Sequence, residues 1–141
     1  MATVEAQAPA RVGTVDLVLC IIAAATLELR KKGSETPNIP LRTLCNKLHQ
    51  LQAEPVYEGA LEYLDFDRIG DNWVSKGLSD ILFQGGTWGL HQVPNPSLPT
   101  ISLEESRAKR RMQALEEDYG RAARQRVEEM ASELVAGISA A

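Results

Sequence analysis

Residues 14–33 read TVDLVLCIIAAATLELRKKG, and this stretch decides the fold class. Between Val15 and Leu29 apolar side chains fall on nearly every side of a helix instead of along one stripe, the pattern of a helix surrounded by protein. Thr14 can cap its start. At its end, Arg30, Lys31 and Lys32 set positive charge against the carbonyl end of the helix dipole, and Gly33 offers a left-handed cap. The apolar run from Leu17 to Ala25 lies between Asp16 and Glu28 and is far shorter than the roughly 20 residues a membrane crossing needs. It predicts a central core helix and no membrane partner. The residues before it carry Glu5 and a single Arg11 in place of a basic leader, so no targeting segment is read there.

Working outward, residues 1–13 are rich in alanine and lack an apolar period, which predicts a loosely held tail. After the central helix, Pro40 in a first turn and Leu41, Leu44, Cys45, Leu48 and Leu51 at spacings of three and four predict a second helix. Pro55 stops it, and Val56 to Ile69 reads as a short helix or turn joined to an extended piece. Asp71 or Asn72 can cap a third helix carrying Trp73, Val74, Leu78, Ile81 and Leu82, ended by Gly85 and Gly86. Thr87–Val93 and Leu98–Leu103 are β-prone pieces separated by Pro94, Asn95, Pro96 and Ser97, a hairpin pattern. Ser102 and Glu105 have capping-box spacing. From there Met112, Leu115, Tyr119, Val127, Met130 and Leu134 continue at helical spacing, with Gly120 as a point of break or bend.

The predicted architecture is mainly α: a tail over 1–13, a domain of three helices and a β-hairpin over 14–103, and a long C-terminal helix over 104–141. With 141 residues, 44% of them hydrophobic, one domain can bury a core without staples. A single helix of that length would outrun the domain available to cover it, so its apolar stripe is expected to meet a partner or a second copy.

The chemistry-bearing residues form no catalytic set. Two cysteines, Cys20 and Cys45, lie inside apolar helical patterns and read as buried free thiols, which fits a reducing, cytoplasmic compartment. The two histidines, His49 and His91, stand in no zinc-ligand spacing, so no metal is expected. Cys45 and His49 share a helix face at i, i+4, and the reading favoured is a buried thiol beside a surface imidazole. Gly85 and Gly86 lack the residues of a phosphate loop, and no cofactor or enzymatic activity is assigned.

Taken in order, these elements resemble a winged helix-turn-helix domain over residues 14–103. The stretch Ile39–Trp88 is similar in layout to SocA/Panacea-type antitoxin domains. The corresponding residues are Leu41, Leu44, Leu48 and Leu51, then Phe66, Trp73, Ser75, Leu78, Leu82 and the Gly85–Gly86 pair. The glycine-proline-aromatic opening usual in that family is replaced here by Gly70, Asp71, Asn72 and Trp73. The resemblance implies a third helix in the major groove of double-stranded DNA and a hairpin at the phosphate backbone.

Two functions follow as expectations. In the first, a dimeric transcriptional regulator or antitoxin-like protein binds DNA through Arg42, Lys47, Ser75, Lys76 and Ser79. In the second, a non-enzymatic adaptor or structural subunit docks on another protein. In either case Met112, Leu115, Tyr119, Val127, Met130 and Leu134 form the dimer or partner contact. A net charge of −4 and a hairpin without Lys or Arg count against phosphate binding. The run from Arg107 to Arg111 reads as a solvated helix face beside Glu104 and Glu105. A basic stripe joining Lys76, Arg42 and Lys47 across a dimer would favour DNA, and an acidic third-helix face the adaptor.

Overall fold

The computed structural model describes residues 13–34, 37–53, 61, 64–84, 90–93 and 100–140. The element order is α1 (Thr14–Lys31), β1 (Ile39–Pro40), α2 (Leu41–Gln52), β2 (Asp67–Ile69), β3 (Asn72–Val74), α3 (Lys76–Gln84), β4 (Leu90–Val93), β5 (Thr100–Leu103), α4 (Glu105–Tyr119) and α5 (Arg121–Ala140). The fold is mainly helical. Strand order in the larger sheet is β1-β5-β4, all antiparallel, with Ile39 opposite Ile101 and Val93 opposite Thr100. The second sheet is the β2–β3 hairpin. The tail over 1–12, half of the stretch from Val56 to Ile69, the Gly85–Gly86 stop and the Pro94–Ser97 turn lie outside the described residues.

The central position of α1 is borne out. Every residue from Leu17 to Thr26 is buried, and the one hydroxyl among them is satisfied by donation from Thr26 Oγ1 to the Ile22 carbonyl at 2.8 Å. The N-cap position falls on Gly13, one residue before the expected Thr14. The C-terminus closes as the sequence predicts. Gly33 takes φ of 100°, the Ser34 amide donates to the Leu29 carbonyl at 3.1 Å and the Gly33 amide to the Arg30 carbonyl at 3.0 Å, which is the paired bonding of a Schellman cap. Among the described residues, no helix is long and apolar enough to cross a membrane.

Helix α2 buries Leu44, Cys45, Leu48 and Leu51 on the expected stripe, in the same core as α1, and packs against β1, β3 and α5. Gln52 at the end of α2 donates to the carbonyls of Leu61 and Leu64 at 2.8 and 2.6 Å, holding those two buried leucines beneath it. Strand β1 is an addition to the sequence reading, which assigned no strand before α2 and put Pro40 in that helix's first turn. Two residues carry too little period to be seen, and the strand exists because Ile39 pairs with Ile101 and both are fully buried.

The C-terminal segment requires the largest correction. A single helix over 104–141 is not formed: the chain breaks at the expected point, where Gly120, at φ 95° and ψ 168°, ends α4 and turns the chain into α5. Helix α4 runs antiparallel to α1, since Asp16 meets Arg111 and Tyr119 at one end while Arg30 meets Glu105 at the other. Met112, Leu115, Val127, Met130 and Leu134, expected to face a partner, are buried in the same core as α1. Half-buried Tyr119 packs at its edge and donates its hydroxyl to Asp16 Oδ2 at 3.2 Å. The break at Gly120 lets each half of the stripe find cover within the chain, so the surplus apolar surface inferred from a continuous helix does not arise. The expected Ser102–Glu105 capping box is also absent. Glu104 occupies the cap position, with no side-chain hydrogen bond to the helix start.

Candidate recognition surface

The surface around α3 is built from α2 upward. Asn46 and His49 lie off the leucine stripe, three residues apart, so they share an adjoining face of the helix. Asn46 Oδ1 accepts the Trp73 backbone N–H at 2.9 Å, and its Nδ2 donates to Asn72 Oδ1 at 3.3 Å. One turn on, the His49 ring stacks on the Trp73 indole at 3.7 Å between centroids and 10° between planes. The Phe66 ring meets the same imidazole edge-on at 5.4 Å. Together these contacts fasten the β2–β3 hairpin to α2. The favoured reading of Cys45 and His49 is close: the thiol is buried, and the imidazole is half-buried against Trp73. Replacing Asn46 by alanine is expected to strand the Trp73 amide, at a cost of about 1–3 kcal/mol. Faster hydrogen exchange at Trp73, with unchanged protection in the middle of α1, would be its signature.

The third helix starts later than expected. Trp73 and Val74 belong to β3, because Gly70, at φ 63°, and Asp71 make a two-residue hairpin turn with glycine first. Ser75 is the true cap. Its hydroxyl accepts the Leu78 amide at 3.1 Å and its carbonyl accepts the Ser79 amide at 3.0 Å. At 3% exposure, Ser75 is corrected from a DNA-contact candidate to an internal cap. The outer face of α3 carries exposed Lys76, Ser79 and Asp80, and its inner face buries Leu78, Ile81 and Leu82.

Apart from buried Ser75, the DNA candidates lie on two helices. Lys76 and Ser79 are exposed on α3, and Arg42 is exposed on α2. Lys47 stands five residues beyond Arg42, about 140° around the helix. It sits beside Gly137 of α5 and donates to Gln50 Oε1 at 3.0 Å. Arg42 and Lys47 thus belong to different faces of α2. The segment leading into α3 is acidic. Asp65, Asp67 and Asp71 are exposed, as is Asp80, and among the described residues none of the four meets a cation. Exposed Arg68 directs its Nε at the Gly70 carbonyl, 3.1 Å away. The side chain of His91 lies outside the described residues.

A cavity of about 770 Å³ lies between α1, α4 and α5, floored by Ala24, Leu27 and Met112. Its walls are ion pairs. Glu105 bridges Arg30 at 3.0 Å and Lys109 at 3.1 Å, and Arg124 bridges Glu116 at 3.2 Å and Glu128 at 3.3 Å. The hydrogen bond from Lys109 holds the Glu105 carboxyl below the usual carboxylate range. This cross-linking ties the helices together. Among the described residues no three His, Cys, Asp or Glu side chains gather as a metal site.

Both cysteines are free and buried, as the sequence predicts. Burial pushes the Cys20 thiol up to about 12 and the Cys45 thiol up to about 11. Neither forms a thiolate near neutrality, so iodoacetamide at pH 8 is expected to modify neither in the native chain and both after denaturation. The same shifts set a pH dependence. Unfolded thiols ionise near pH 9 while the folded ones stay protonated, so their contribution to stability is full below pH 9 and is lost as pH climbs towards 11 and 12.

Sequence reasoning missed the Asn46–His49–Trp73 fastening. Its only sequence trace is a pair of polar residues three apart beside a leucine stripe, which an exposed helix face shows equally well. No protein-family model matches the chain, and no characterised protein or solved structure shows significant similarity to it.

Proposed function

We propose that this chain is a non-enzymatic adaptor or structural subunit, with a winged-helix-type domain that recognises another protein. The winged-helix part of the reading is supported by topology. Three helices lead into an antiparallel sheet in which the first short strand joins the edge of the later hairpin, in the order β1-β5-β4. The observation that carries the functional reading is charge. The exposed face of α3 balances Lys76 against Asp80, and the hairpin before it presents Asp65, Asp67 and Asp71 with only Arg68 opposing them. A phosphate backbone is repelled by such a face, while a protein surface is not.

The second reading, a DNA-binding regulator or antitoxin-like protein, is favoured by one specific observation: the third helix, which follows α2 and the β2–β3 hairpin, keeps an exposed outer face with Lys76 and Ser79 on it. Titrating random duplex DNA at two salt concentrations, with mass measured by light scattering, separates the readings. The adaptor is expected to show no salt-sensitive complex. Binding that weakens steeply with salt and is lost in Lys76→Glu would overturn it in favour of the regulator.

A further inference from the structure

We infer that the outer edge of the β2–β3 hairpin is a docking strand for an extended, basic polypeptide segment of a partner protein. This inference rests on the protein-recognition reading above and names the surface and the partner's chemistry. The Trp73 backbone N–H points out of the hairpin to Asn46, so the β3 edge is covered by α2. In an antiparallel ladder a residue that turns its N–H outward stands opposite one that does the same. Arg68 pairs with Trp73, and its backbone N–H and C=O therefore face away from the ladder on the β2 side. All three residues of β2 are exposed.

The face beside this edge is apolar at its centre. Alternation and register place Ile69 and Val74 on the same side of the hairpin, opposite Trp73. They are 64% and 38% exposed, and they account for two of the three large hydrophobic residues exposed in the described chain. Asp65, Asp67 and Asp71 flank them and form no ion pair among the described residues, and Arg68, the one cation of the hairpin, lies on the opposite side with Trp73.

The occupant that satisfies all three features is a strand. Its backbone pairs with Arg68, its apolar side chain covers Ile69 and Val74, and its Lys or Arg side chains on either side meet the aspartates. Nucleic acid is disfavoured because its phosphates would meet the carboxylates. The hairpin is held rigidly by Asn46 and His49, so its edge is presented without the ordering cost of a loose loop.

Panning a random peptide display library against the full chain tests this directly. Selected peptides are expected to carry an apolar residue flanked by Lys or Arg. Their affinity should fall about tenfold in Ile69→Ser and at least as far in Asp67→Lys combined with Asp71→Lys. N-methylation of alternate amides in the best peptide should abolish binding in one register and leave the other intact, as strand addition requires. Selected peptides that bind these variants as well as the parent would overturn the assigned edge while leaving protein recognition standing. A failure to enrich any basic peptide would overturn the partner chemistry. A salt-sensitive duplex complex would instead remove the reading on which both rest.

Discussion

Met130→Asp abolishes cooperative folding of the isolated chain instead of separating two folded subunits. Met130 lies fully buried on α5 within the cluster that includes α1 and α4. Truncating such a side chain to alanine costs about 2–5 kcal/mol through lost transfer energy and the cavity left behind. A carboxylate adds the cost of burying an unpaired charge, or of protonating it to avoid doing so. Domains of ordinary size hold only about 5–15 kcal/mol in total, so the sum removes most or all of the native population at neutral pH. Circular dichroism and denaturant unfolding check it. A variant that keeps its helical signal and its unfolding midpoint while its mass in solution halves would return this residue to an interface between copies. The milder Met130→Ala supplies the intermediate case, with a lower midpoint and an unchanged mass.

The same residue shows how far the sequence was legible. The 3.6 period that places Met112, Leu115, Val127, Met130 and Leu134 on apolar faces is a property of local sequence, and the structure buries each of them. What covers them is not local. The length argument for an external partner held only for an unbroken helix, and a glycine can bend a helix, interrupt it or pass unnoticed within it. The all-round apolar pattern of α1 left no such choice, because a helix with no polar face can only be central. Leu44, Leu48 and Leu51 were also readable, because apolar residues at spacings of three and four mark the buried face of an amphipathic helix.

At the candidate surface the failures share a cause. Trp73 and Val74 fit a helical period with Leu78 and Ile81, yet the turn at Gly70–Asp71 folds them back against β2, and Ser75 restarts the chain as a helix. Ser75 carried the right chemistry for two roles, a hydroxyl for phosphate or a hydroxyl for a cap. Only its burial decides between them. The acidic character of residues 65–80 could be counted in the sequence. Its consequence depended on learning that, among the described residues, no counter-ions fold onto the aspartates.

Gly120→Ala is expected to destabilise the chain by about 1–3 kcal/mol, by strain in the backbone and not by collision. A Cβ at this position meets nothing within 4 Å, so packing does not oppose it. The conformation does: φ 95° with ψ 168° belongs almost solely to glycine. Asparagine tolerates the left-handed helical region, but this ψ lies far outside it, so Gly120→Asn should not rescue stability. The strain has one ready escape. With a helix former at position 120, α4 and α5 can join into the continuous helix that the sequence period alone predicts. A joined helix of residues 105–140 extends for about 54 Å at 1.5 Å per residue, and its second half can no longer pack on its own α1. It would then cover α1 of a second molecule, an exchange of identical elements that needs no new interface chemistry. Unfolding midpoints should therefore fall in both variants, and light scattering should reveal a dimer whose share grows with protein concentration in Gly120→Ala. Equal stability of Gly120→Ala and the parent chain would show that the break between α4 and α5 does not depend on glycine. A destabilised variant that stayed monomeric at every concentration would show that the reversal survives the strain, held by the burial of Val127, Met130 and Leu134 against α1.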